Sequence, residues 1–152
     1  MRLAPTLILA LICSPVIAGD DQRQFITDQL TKNECGACHF AYPASMLSEA
    51  SWRKIMSGLE NHFGEDASLG PDAIQDITEY LVSQAADTKP QFSKYLRGID
   101  ARDPPVRITE TEFWIGKHFA ISKEYLQSGL AGLKAVCTVC HLRAEDGYYE
   151  KR

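Results

Sequence analysis

Cys35-Gly36-Ala37-Cys38-His39 and Cys137-Thr138-Val139-Cys140-His141 are two copies of one pentapeptide pattern, and the rest of the chain is arranged around them. Each is a C-x-x-C-H haem-attachment signature. Two thiols three residues apart on one helical turn can form thioethers to the two vinyl groups of a porphyrin. The histidine that follows then lies under the iron and donates an imidazole nitrogen. Cys-x-x-Cys pairs also serve thiol exchange and zinc binding, and short disulfides form in oxidising compartments. None of these alternatives accounts for the histidine directly after each pair. The motifs therefore predict two covalently bound haem c groups, attached at Cys35, Cys38, Cys137 and Cys140, with His39 and His141 as iron ligands.

The start of the chain places this chemistry outside the cytoplasm. Met1-Arg2 carries an early positive charge, Leu3 to Ile12 is mostly apolar, and Val16-Ile17-Ala18 ends on a small residue. This is the pattern of a secretory signal peptide over residues 1–18, cleaved after about Ala18, and it predicts a periplasmic protein. The apolar run is broken by Pro5 and Pro15 and falls short of the ~20 residues that cross a bilayer, so no permanent membrane anchor is expected. Cys13 follows a bulky Ile12, which does not suit a lipoprotein site. Its loss with the leader leaves every remaining cysteine inside the two motifs.

About 134 residues then remain, enough for one compact domain or two small lobes. The formal charge of −4 becomes about −5 without Arg2. That balance argues against nucleic acid as a partner. It suits solubility, and it suits encounter with a basic protein.

Periodicity along the mature chain is helical throughout. Phe25, Ile26 and Leu30 predict a short helix within residues 21–33 that leads into the first motif. Ser51 is placed to cap a helix with Trp52, Ile55, Met56 and Leu59 inside, whose face continues to His62 and Phe63 until Gly64 stops it. Pro71 opens a further helix striped by Ile74, Ile77 and Leu81. Residues 19–86 form the expected N-terminal haem lobe. Residues 87–108, with Pro90, Pro104 and Pro105, form a connection holding at most one short helix. Residues 109–152 form the C-terminal haem lobe. There Thr109-Glu110-Thr111-Glu112 fits a capping box before Phe113, Trp114, Ile115, His118 and Phe119. A last helix from about Lys123 carries Leu126, Leu130, Leu133 and Cys137 on one stripe, and a polar tail from Arg143 is expected to be loosely held. No alternating stretch argues for a sheet, so the fold class is all-α.

Only four histidines exist, and two stand inside the motifs. His62 and His118 each lie near a tryptophan on an apolar helix face, one in each lobe. A lone histidine in that setting is ordinarily a packed core or surface residue. Here each lobe needs a sixth ligand, which makes His62 and His118 the candidate distal iron ligands. Met46 and Met56 are the competing ligands, with packing as the ordinary role of Met56. Trp52 and Trp114 are read as packing residues rather than electron relays. The carboxylate pairs Glu65-Asp66 and Asp20-Asp21 are read as solvated charge.

In these residues the chain resembles the small periplasmic dihaem cytochromes c, a family typified by the purple-bacterial dihaem partner of an oxygen-binding monohaem cytochrome. The resemblance rests on the two motifs and their separation, on Asn61-His62-Phe63-Gly64 after a Trp-led helix, and on the segment from Trp114 to His118. It implies two small haem lobes, the N-terminal one similar to a class I cytochrome c. It further implies low-spin bis-histidine irons at His39, His62, His118 and His141, and an electron-carrier role. Redox protein partners are implied with it, either a monohaem oxygen-binding cytochrome c or a membrane cytochrome b. The expectation is thus an electron-transfer protein rather than an enzyme. The alternative is a haem enzyme, or a protein binding peroxide or a small gas, with one displaceable distal ligand.

Overall fold

The computed structural model describes residues 23–121 and 137–149. The signal peptide, the Leu126, Leu130 and Leu133 stripe and the last three residues of the tail lie outside the described residues. Within them the chain forms α-helices and short 3-10 turns with no strand, in keeping with an all-α protein. The single β-bridge, between His62 and Glu65, is an isolated one.

The first described segment is extended rather than helical. From Arg23 to Asp28 burial alternates, with Gln24 and Ile26 buried and Arg23, Phe25 and Thr27 exposed, as the period of two in an extended segment requires. Helix α1 spans Gln29–Cys35, later than the periodicity suggested. Its start is set by Asp28, whose carboxylate accepts from the Thr31 amide and hydroxyl, each at 2.7 Å. Those two bonds also hold the Asp28 carboxyl below its ordinary range.

Helix α2 spans Glu49–Met56 and is capped by Ser48 rather than Ser51. The Ser51 amide and hydroxyl both bond to the Ser48 hydroxyl, at 3.1 and 2.9 Å. The helix stops at Met56, and a 3-10 turn over Leu59–Asn61 follows, so His62 stands beyond the helix and not on its face. Helix α3 spans Pro71–Ser83, with Gly70 as N-cap and proline in the first turn. Helix α4 spans Glu112–His118, capped by the Thr111 hydroxyl at 3.2 Å from the Trp114 amide. Its cap lies two residues later than a capping box at Thr109 would put it.

Packing divides into two buried clusters. The larger joins Ile26, Leu47, Trp52, Met56, Leu59, Ile77, Leu81 and Ala85, where α2 crosses α3. The Trp52 indole N–H donates to the Ala44 carbonyl at 2.7 Å, which satisfies its polar end inside that core. The smaller joins Ala86, Phe92 and Tyr95, with Phe113 of α4 packed on it. Tyr95 and Phe92 sit in a 3-10 stretch over Pro90–Leu96, so the proline-rich connection contributes buried aromatics rather than serving as a mere tether.

The described part of the C-terminal tail, up to Tyr149, is packed against the rest of the chain. Ala144 is fully buried, in a 3-10 turn over Ala144–Asp146, and Tyr149 hydrogen-bonds to the Gln24 carbonyl. The polar composition that suggested a loose tail belongs to side chains pointing outward from a packed backbone.

Ile77 is 0% exposed and stands where α2 and α3 meet. Replacement by alanine is expected to lower stability by about 2–5 kcal/mol. Urea unfolding of the holoprotein, followed by far-ultraviolet circular dichroism, measures this. A loss well under 1 kcal/mol would contradict the packing described.

Candidate metal centres

The fold brings the four histidines together as two facing pairs. The ring centres of His39 and His62 are 6.1 Å apart, with planes inclined by 20°. Those of His118 and His141 are also 6.1 Å apart, with planes inclined by 85°. A metal–imidazole bond is about 2 Å and the ring centre lies about 1.1 Å behind the nitrogen, so two rings sharing one metal stand about 6.2 Å apart. Both pairs have the separation that a single iron between them requires. Each pair also stands beside one Cys-x-x-Cys motif, so the donor set suits a covalently attached iron porphyrin twice.

In each pair, one ring is oriented by a hydrogen bond from Nδ1. His39 Nδ1 lies 2.8 Å from the Phe40 carbonyl. His118 Nδ1 lies 2.8 Å from the Trp114 carbonyl. A carbonyl can only accept, so Nδ1 carries the proton and Nε2 keeps its lone pair for a metal. The Trp114 indole also stacks on the His118 ring at 4.2 Å and 16°. One turn of α4 thus fixes both the tautomer and the plane of that imidazole.

His62 is held differently. Its amide donates to the Glu65 carbonyl at 2.8 Å and its carbonyl accepts from the Glu65 amide at 3.2 Å. The two residues between, Phe63 at φ 59° and Gly64 at φ 102°, both have left-handed backbone. This is the pattern of a type I′ turn. A phenylalanine is costly in that region. Its ring is braced by His62, 4.7 Å away, and by the Arg107 guanidinium, 3.9 Å above it. Burial, the neighbouring His39 and the Arg107 charge together push the His62 imidazole below its ordinary range, in that order. All three favour the neutral ring that a metal needs.

No disulfide joins Cys35, Cys38, Cys137 and Cys140. Burial first and Glu34 second push the Cys35 thiol up to about 11. Burial also pushes the Cys137 thiol up to about 11. Exchange-active thiols have depressed values instead, unlike Cys35 and Cys137. Among the described residues, no three or more His, Cys, Asp or Glu side chains converge on a common point as a structural zinc site would require.

Several residues around the pairs escaped sequence reasoning. The Tyr42 ring is 5.2 Å from His39, and burial together with the nearby Cys137 raises its phenol. Tyr42 therefore connects the first pair to the second motif. The Tyr149 ring is 5.7 Å from His141. Neither tyrosine lies at a spacing that betrays it. Met56 is buried in the larger core and Met46 in the turn over Ala44–Met46.

A family model described as dihaem cytochrome c matches residues 31–149, which include both motifs. The solved structure of the diheme cytochrome c from Rhodobacter sphaeroides is similar at 42% identity and a TM-score of 0.75, covering 82% of this chain and 98% of that one. A second structure, of the protein purified from Rhodobacter sphaeroides, is similar at 38% identity and a TM-score of 0.64, covering 81% and 97%. The diheme cytochrome type c of Shewanella baltica OS155 is similar at 37% identity and a TM-score of 0.64, covering 80% and 86%. No curated protein matches the chain. Two motifs, two facing histidine pairs and a family match spanning both lead to one conclusion: the chain belongs to the dihaem cytochrome c family and carries two covalently bound haem c groups.

Proposed function

We propose that this protein is an exported, periplasmic carrier of single electrons between protein partners. His39 and His62 would hold the iron of the first haem, and His118 and His141 that of the second. Cys35 and Cys38 anchor the first macrocycle, and Cys137 and Cys140 the second. The observation that carries this reading is the 6.1 Å ring separation, present in both pairs.

When bound, each haem supplies a one-electron ferric–ferrous couple. The chain's own residues determine what that couple is used for. Two imidazoles per iron leave no position for a substrate, which supports transfer over catalysis. The Phe40 and Trp114 carbonyls hold the two bonded rings in the ligating tautomer, so neither ring has to turn when the charge between them changes. Met46 and Met56 are both taken up by packing, which supports histidine as the residue type that would hold each iron. Partner proteins are redox proteins, and the family likeness supports a monohaem oxygen-binding cytochrome c or a membrane cytochrome b.

The two pairs differ in a way that makes the proposal readable. Near-parallel imidazole planes make the two in-plane directions at a ferric iron unequal, whereas crossed planes make them nearly equal. The oxidised protein is therefore expected to show one rhombic low-spin electron paramagnetic resonance signal and one strongly anisotropic low-spin signal. His62→Ala is expected to remove the rhombic signal alone, and His118→Ala the anisotropic one alone, each giving a high-spin haem. A high-spin haem in the parent protein would instead support an enzyme or a gas-binding protein.

Arg107 provides a separate check on the first pair. Its positive charge beside His62 favours the reduced, less positive state, so Arg107→Gln should lower the first midpoint potential by on the order of tens of millivolts. A spectroelectrochemical titration reads both midpoints. An unchanged first midpoint, or an equal shift in both, would exclude this role.

A further inference from the structure

Gln24 lies before the first motif in sequence, yet its bonds run mainly to the elements around the second histidine pair. It is only 7% exposed. Its side-chain Nε2 donates to the Tyr95 hydroxyl at 2.5 Å, and its Oε1 accepts from the Ser45 hydroxyl at 2.9 Å. Its amide donates to the Gly147 carbonyl at 3.4 Å, and its carbonyl accepts from the Tyr149 hydroxyl at 3.2 Å. One buried residue thus ties together four separate parts of the chain.

The two arms lead to the two rings of the second pair. Along the side chain, Tyr95 packs edge-on against Phe113 with ring centres 4.3 Å apart. Phe113 belongs to α4, which carries His118. Along the backbone, Tyr149 packs its ring 5.7 Å from His141. The close approach on this side needs Gly147, at φ 85°, because a Cβ there would lie 2.6 Å from the Gln24 amide nitrogen. The Ser45 bond then fixes the assembly to the turn that enters the larger core. Each polar atom of Gln24 is used, and no buried side-chain nitrogen or oxygen among the described residues is left without a partner.

We infer that Gln24 is a positioning residue for the second haem: it sets the spacing and crossing of His118 and His141 by clamping α4 and the C-terminal turn to the first lobe. The N-terminal extended segment, although it precedes the first motif, is a structural part of the second site. This inference rests on the assignment of His118 and His141 as the second pair of ligands.

The test uses the full holoprotein and two variants that keep side-chain volume. Gln24→Met keeps the packing and removes both side-chain bonds. Tyr149→Phe keeps the ring against His141 and removes the bond to the Gln24 carbonyl. Each is expected to shift and broaden the strongly anisotropic signal, and to move the second midpoint potential, while leaving the rhombic signal and the first midpoint in place. A change of equal size in both haems, or in neither, would overturn the inference.

Amide hydrogen exchange supplies a readout that does not depend on which atoms bind iron. Loss of a bond or two of this kind is expected to speed exchange about tenfold in residues 112–118 and 143–149, with α2 and α3 unaffected. Uniform acceleration would mean general loosening and would sink the proposal. A parent protein without low-spin signals would overturn the ligand assignment, whereas regional exchange confined to those two segments would still establish the clamp.

Discussion

The distance between two imidazole rings is the constraint on which the rest of this structure depends. At 6.1 Å a single iron can bind both rings, and an error of half an ångström on either side would stretch or break a bond. Side chains alone do not hold such a tolerance, because histidine turns about two torsions. The chain meets it by bonding Nδ1 of one ring in each pair to a nearby backbone carbonyl. The opposing ring is then brought up by an element of different origin: a tight turn for His62, and the C-terminal segment for His141.

The two sites reach the same separation through unlike architecture. The first sits at the rim of a conventional core, where α2 and α3 pack over Ile77 and Leu81 and the turn at His62 projects from their edge. Its strained phenylalanine is held in place by Arg107 rather than by burial. Among the described residues, the second site has no core of comparable size beneath it. It draws on the aromatic group of Phe92, Tyr95 and Phe113, and on segments from both ends of the described chain. Like histidine pairs in unequal surroundings would give the protein a means of separating the properties of its two haems.

Much of this was legible in the sequence, and the parts that were not have physical reasons. The motifs were legible because thioether chemistry demands that spacing, and the histidines because the chain offers only four. Pro71 marked its helix start through fixed backbone geometry. The extended segment around Phe25 and Ile26 was misread as helix, since two adjacent apolar residues do not distinguish a period of two from one of 3.6. His62 was placed on a helix face because nothing in its neighbourhood warns that Phe63 adopts left-handed backbone. The tail was judged by its charged side chains, and composition does not show where Tyr149 and the Gly147 backbone are buried. Contacts between residues 125 apart leave no local trace.

That same separation bears on how the molecule comes together. The bond from Tyr149 to Gln24 closes a loop of nearly the whole described chain, while the facing of His39 and His62 closes one of a few tens of residues. Closure entropy rises with loop length and long-range contacts form late. The facing of His39 and His62 can therefore form before the Tyr149–Gln24 bond does. The fold is closed only when the last described segment returns to the first, across 125 residues of sequence.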